Sequence, residues 1–124
     1  MLALIVDDSS SVRKILARIM HRFNFETMEA EDGEHALRVL KEADHCPEVA
    51  LCDWNMPIMN GLELVQALRA DEHYRDLLIV MVTTETEMDK VVTALDAGAN
   101  EYIMKPFTEE MLAEKLALLG IETS

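Results

Sequence analysis

Basic residues are scarce: 11 Lys and Arg stand against 24 Asp and Glu, for a formal charge of -13. Phosphate-backbone binding draws on clustered cations, so this balance argues against a nucleic-acid ligand. It reads instead as a solvated surface, open to basic patches on partner proteins. Cysteine is nearly absent. Cys46 lies in a polar segment and Cys52 inside an apolar run, a spacing that suggests neither a disulfide framework nor a zinc site. Reduced thiols fit a cytoplasmic home. His21, His35, His45 and His73 form no i, i+4 pair or other ligand spacing, and each is expected at the surface. The first apolar run stops at Val6 against two aspartates, too short for a signal-peptide core or a membrane span.

What is there suits one domain. Half of the 124 residues are hydrophobic, enough for one packed core and too few for a second domain beside it. The nine methionines are scattered and read as core filler. Short apolar runs alternate five times with segments of helical period, and no repeat or low-complexity stretch interrupts them.

The predicted strands are Leu2 to Val6, Phe25 to Ala30, Glu48 to Cys52, Leu77 to Val82 and Glu101 to Met104. The first helix carries Val12, Ile15, Leu16 and Ile19 on one inward face. Asp32 caps the second helix, of Ala36, Leu37 and Leu40, and Asn60 with Glu63 forms a capping pair for the third, of Leu64, Val65 and Leu68. Thr86 with Asp89 opens the fourth, which holds Met88, Val91, Val92 and Leu95 and ends at Gly98. Thr108, followed by Glu109 and Glu110, starts the last, with Leu112, Leu116 and Leu119 inward.

Strands one, three and four are almost uninterruptedly apolar, as parallel strands covered on both faces must be, whereas two and five mix in charge and belong at the edges. The predicted fold is a doubly wound (βα)5 α/β domain with five parallel strands in the flavodoxin-like order 2-1-3-4-5, which obeys the right-handed crossover rule. Its topological switch falls between strands one and three, and ligands in such sheets bind there, outside the carboxyl ends of the strands.

Those ends carry chemistry. Asp7 and Asp8 follow the first strand and Asp53 the third. Two carboxylates about 4 Å apart repel by roughly 4 kcal/mol at an effective dielectric near 20, so the cluster calls for a cation, either a metal or Lys105. Thr83 ends the fourth strand with a hydroxyl able to bond a phosphoryl oxygen. Pro106 keeps Lys105 extended after the fifth. Mg²⁺ takes one or two protein carboxylates together with phosphate oxygens and water, which suits Asp7 or Asp8 with Asp53. A carboxylate can also attack phosphorus to give an aspartyl phosphate. The residues alone do not rank Asp53 above the Asp7-Asp8 pair for that role.

The set Asp7-Asp8, Asp53, Thr83, Tyr102 and Lys105-Pro106 resembles the receiver domain of two-component response regulators across essentially the whole chain. The segments Asp53-Trp-Asn-Met-Pro57 and Lys105-Pro-Phe-Thr108 are similar to those of its stand-alone chemotaxis type. The resemblance implies a single receiver over residues 1–124 with no output domain, and Asp53 as phosphoacceptor. Mg²⁺ is then held by Asp8 directly, by Asp7 largely through water, by Asp53 and by the backbone carbonyl of Asn55. Lys105 pairs with the phosphoryl group, Thr83 moves toward it, and Tyr102 swings inward into the space Thr83 vacates. The bond before Pro106 is expected to be cis, as it usually is in the family.

Asn55 and Glu85, two residues past Asp53 and Thr83, and Thr84, where the chemotaxis type usually has alanine, are implied to tune the lifetime of the phosphoryl group. Trp54 reads as a half-buried cover beside the acceptor. The implied function is a phosphorylation-activated switch, not an enzyme in the usual sense, because it catalyses only its own phosphoryl transfer and dephosphorylation. It would accept from a histidine kinase or phosphotransfer protein and signal to a downstream target, such as a flagellar switch component, in chemotaxis. Ser11, Val12 and Ile15 offer a face for a phosphohistidine-bearing helix bundle, although Ile15 is expected to turn inward. The chain is expected to be cytoplasmic, monomeric and without a membrane contact.

Alternatives are a phosphate-sink receiver and a docking module that works without phosphorylation. A flavin carrier of the same strand order is disfavoured because Asp7-Asp8 repels a phosphate. A haloacid-dehalogenase-type phosphatase is disfavoured because Asn55 stands where a second, acid/base aspartate is needed.

Overall fold

The computed structural model describes residues 1–84 and 88–123. Five strands, β1 (Leu2–Val6), β2 (Glu26–Ala30), β3 (Val49–Asp53), β4 (Leu78–Thr83) and β5 (Glu101–Met104), alternate with α1 (Ser10–Arg22), α2 (Gly33–Glu42), α3 (Gly61–Arg69), α4 (Met88–Ala97) and α5 (Glu109–Leu118). All ladders are parallel, and the order is β2-β1-β3-β4-β5, as predicted.

Alternation along the strands builds two cores. Leu4, Val6, Ala50, Cys52, Ile79 and Met81 face α2, α3 and α4, where they meet Ala36, Leu40, Leu64, Val65, Leu68 and Ala94. Ala3, Ile5, Val49, Leu51, Val80 and Val82 face α1 and α5, against Leu16, Ile19, Met20, Leu112 and Leu116. With side chains buried on both faces, β1 and β3 leave no polar position before their carboxyl ends, which is why their sequences read as continuous apolar runs. The edge strands β2 and β5 are partly exposed.

The predicted caps form where they can be described. Asp32 accepts from the His35 amide at 2.8 Å, Asn60 and Glu63 close a reciprocal capping box, and Thr108 accepts from the Met111 amide. Gly98 ends α4 with φ of 123°, a conformation that L side chains rarely adopt. Thr86, expected to open that helix, lies outside the described residues.

Several expectations are corrected. Asp53 is the last residue of β3 rather than its successor, because it stays in register with Val82 of β4, and Glu48 precedes that strand. Leu77 precedes β4, its amide donating to the Tyr74 carbonyl in the turn before it. Phe25 precedes β2, its amide donating to the Met20 carbonyl in the last turns of α1. Ile15 is 50% exposed instead of inward. The buried arc of α1 is centred on Leu16, Ile19 and Met20, and at 3.6 residues per turn Ile15 sits about 100° away from Leu16. On α4, for which the sequence specifies no inward face, Val91 and Ala94 take the core-facing positions and Val92 and Leu95 are exposed. His21, His45 and His73 are exposed and His35 is half-buried. Among the described residues no helix is long and apolar enough to cross a membrane.

Candidate functional site

The carboxyl ends of β1, β3, β4 and β5 supply the predicted residues. Asp7 directly follows β1 and is buried, Asp8 beside it is exposed, and Asp53 at the end of β3 is buried. One carboxylate oxygen from each of Asp7, Asp8 and Asp53 lies within 4.8 Å of the others. The Lys105 Nζ donates to Asp7 Oδ2 and to Asp53 Oδ1, each at 3.4 Å, and so bridges the two buried acids. Lys105 is bound to the sheet as well, because its amide donates to the Thr83 carbonyl at 2.7 Å. The Lys105-Pro106 peptide bond is cis, as expected.

Local hydrogen bonds aim the acids. The Ser9 amide donates to Asp7 Oδ1 and the Trp54 amide to Asp53 Oδ1, both at 2.9 Å. Burial, joined by the charge of Asp7, raises the Asp53 carboxyl to about 6, against the opposing pull of Lys105 and the Trp54 amide. Burial works against the Lys105 charge, but Asp53 and Asp7 outweigh it and hold the ammonium above its usual range. Burial and Asp53 push the Cys52 thiol up to about 12, so this neighbour of Asp53 is no nucleophile.

Lys105 offsets only one of three converging carboxylates, and the donors are hard oxygens on a partly open rim. Such a set fits a small divalent cation of the Mg²⁺ type better than a soft metal, which would call for thiolate or imidazole. Asn55, two residues beyond Asp53, is exposed on the same loop. The Thr83 side chain is buried, its hydroxyl donating to the Thr84 carbonyl at 3.3 Å. Tyr102 is half-buried on β5, opposite Met81 in register. Glu85 lies outside the described residues. Trp54 is more buried than expected, at 6% exposure.

Three side chains make contacts that have no signal in the sequence. The Arg13 guanidinium donates to the Asp7 carbonyl at 2.6 Å and pairs with Glu29 at 3.1 Å, which ties the acidic loop to β2. The Lys90 ammonium of α4 stands 5.8 Å from the Trp54 ring centre, and the Lys115 ammonium of α5 stands 4.5 Å from that of Tyr102. All three are long side chains reaching across elements, and no spacing rule announces them.

Behind Asp53 the packing has no slack. The Gly61 amide donates to the Trp54 carbonyl at 2.9 Å, and a Cβ at Gly61 would stand 2.5 Å from the Asp53 carbonyl oxygen and 3.1 Å from the Trp54 Cα. Both obstacles are backbone. Gly61→Ala is therefore expected to destabilise the fold by about 1–3 kcal/mol, the usual cost of overpacking, read as a lower urea midpoint. An unshifted midpoint would show that the loop yields freely.

The chain matches the family model described as the response regulator receiver domain over residues 3–117. It is 46% identical over 117 residues to chemotaxis protein CheY1 of Helicobacter pylori, covering 94% of each chain. It is 48% identical over 114 residues to a chemotaxis protein CheY homolog of Campylobacter jejuni, covering 91% of this chain and 87% of the relative. Among solved structures, chemotaxis protein CheY4 of Vibrio cholerae superposes with a TM-score of 0.84 at 34% identity, covering 97% of each chain. A response regulator from Chloroflexus aurantiacus gives 0.86 at 28% identity, covering 96% of this chain and 97% of its own. With strand order, acidic crevice and sequence all in agreement, the chain belongs to the response regulator receiver family, whose members are phosphorylation-activated signalling switches.

Proposed function

We propose that Asp53 is the phosphoacceptor of a chemotaxis switch, loaded by a histidine kinase or phosphotransfer protein and read by a separate target protein. The observation that carries this reading is the bridging of Asp7 and Asp53 by Lys105, with Asp8 completing an acidic notch on the rim of the sheet. A docking module that never met phosphate would keep these buried charges for no return.

Asp53 attacks phosphorus through a carboxylate oxygen. The P–O bond forms as the donor's P–N bond breaks, and the electron pair goes to the imidazole nitrogen. Asp7, Asp8, Asp53 and the Asn55 backbone carbonyl would hold Mg²⁺, which supplies charge neutralisation at the phosphoryl oxygens when bound. Lys105 already sits between Asp7 and Asp53 and pairs with the incoming group without rebuilding the site. No other substrate is turned over: the chain promotes only its own phosphorylation and dephosphorylation, with Asn55, Thr84 and Glu85 setting the lifetime.

The output follows from the β4–β5 ladder. Thr83 redirects its hydroxyl from the Thr84 carbonyl to a phosphoryl oxygen, and Tyr102 follows it inward. Exposed apolar side chains on α4 (Val92, Leu95) and α5 (Met111, Leu118) suit a target such as a flagellar switch component. Carrying the equilibrium from 1:99 to 99:1 requires about 5.5 kcal/mol of preference for the active state, within reach of a doubly charged group clamped by Lys105.

Incubation with acetyl phosphate and Mg²⁺ tests the reading. One acid-labile phosphoryl group per chain is expected, mapped to Asp53 by peptide mass after hydroxylamine trapping, and absent when EDTA replaces Mg²⁺. Label on Asp7 or Asp8, or none, would refute the assignment.

A further inference from the structure

Between β3 and α3 the chain makes a turn that is costly to hold. The Met59 amide donates to the Pro57 carbonyl at 2.7 Å, closing a three-residue turn whose central residue, Ile58, has φ of 68°. The γ-turn with positive φ is rare and strained. A β-branched residue is the least suited to it, because its Cβ substituents crowd the neighbouring carbonyl; glycine or asparagine would sit there at lower cost.

The Ile58 side chain gains little burial in exchange. It is 75% exposed, the highest value among the large apolar side chains of the described residues. The turn is nonetheless firmly seated. The Gly33 amide donates to the Met59 carbonyl at 3.1 Å, the Met59 side chain packs against Gly33, and the Gly61 amide closes onto Trp54. A rigid support thus holds an apolar side chain out in water, five residues from the acceptor.

We propose that Ile58 is a docking residue for the protein that delivers the phosphoryl group, filling an apolar depression beside the phosphohistidine. The proposal rests on the reading of Asp53 as acceptor. Asp53 is only 7% exposed, so a macromolecular donor reaches it by covering the loop that follows β3, and Ile58 is the apolar tip of that loop. A small phosphodonor enters without touching it. The exposure of Ile58 is a cost to the free protein that is recovered when the donor buries the side chain, and the strained turn is the cost of presenting it.

Labelling rates are compared for two donors with Mg²⁺ present: the phosphorylated phosphohistidine domain of a chemotaxis histidine kinase, and phosphoramidate. Ile58→Asn should lower the ratio of protein-donor to phosphoramidate rate at least about tenfold, through KM, while raising the melting temperature by about 3–5 °C as the turn relaxes. Ile58→Leu keeps the apolar volume without branching at Cβ and should keep the ratio within about twofold. An unchanged ratio in Ile58→Asn, an equal fall with both donors, or a loss in Ile58→Leu as deep as in Ile58→Asn overturns the docking role. If the unaltered protein takes no label from phosphoramidate, the acceptor reading has failed, and the proposal with it.

Discussion

Asp53→Asn is expected to abolish phosphorylation and, at the same time, to make the metal-free protein more stable at neutral pH. Burial and the neighbouring Asp7 hold the folded Asp53 carboxyl at about 6, well above its ordinary 3.8. At pH 7 the group is ionised in both states, and the folded state bears the penalty of keeping that charge in the crevice. A tenfold change in proton affinity corresponds to about 1.4 kcal/mol, which sets a ceiling of roughly 3 kcal/mol; screening at the open rim leaves on the order of 1–2 kcal/mol.

The sign of the pH dependence follows. The folded state binds this proton more tightly than the unfolded chain, so Asp53 disfavours folding above about pH 6, and the penalty disappears as the pH falls toward 4. Urea unfolding in EDTA should therefore show the gap between Asp53→Asn and the unaltered protein narrowing from pH 7.5 to pH 4.5. Mg²⁺ at pH 7.5 should narrow it too, because a ligand that binds only the folded state stabilises it in proportion to occupancy. Equal stabilities in EDTA at pH 7.5 would mean that Lys105 already neutralises the cluster.

Much of this site is visible in the sequence because the fold's rules act locally. An apolar run of four or five residues that stops at an aspartate marks both a buried strand and the position of its terminal acid, as with Val6 and Asp7 or Cys52 and Asp53. Side chains at the ends of adjacent parallel strands must then be neighbours, whatever lies between them in sequence. Helix faces are less legible. A window of apolar residues at helical spacing does not state where its arc is centred, so Ile15, expected inward, stands outside, and Val92 and Leu95 stand outside too. Each sits beside a residue, Leu16, Val91 or Ala94, that claims the core position instead. Least legible are residues whose work is done over long reach. Arg13 binds a backbone carbonyl six residues earlier, and Ile58 owes its character to a φ angle that its type gives no reason to expect.

Arg69 is the extreme case, and its truncation carries the largest expected loss of stability. From sequence it is a cation in the last turn of α3, a routine complement to the helix dipole. In the fold its guanidinium uses all five N–H donors. Nε donates to the Gly98 carbonyl at 2.9 Å, Nη1 to the carbonyls of Tyr74 and Arg75, and Nη2 to the Leu77 carbonyl and Asn100 Oδ1. The same Asn100 oxygen accepts from the Ile79 amide at 2.8 Å, so one side chain joins the end of α3, the turn before β4, the start of β4 and the exit of α4. Arg69→Ala leaves several half-buried carbonyls without a donor, each costing about 1–3 kcal/mol where water does not reach. A loss of about 3–4 kcal/mol is expected, with a fall in melting temperature on the order of 10–15 °C. Arg69→Lys recovers only part of it, since an ammonium has three donors and no planar fork. These bonds lie at the amino ends of β4 and β5, the opposite pole from Asp7, Asp53 and Lys105. Folded Arg69→Ala should consequently take label from acetyl phosphate at close to the unaltered rate at 15 °C, where enough of it remains native. A variant that stays folded but labels an order of magnitude more slowly would show that the two poles of the sheet are mechanically coupled, and that this arginine belongs to the switch as well as to the scaffold.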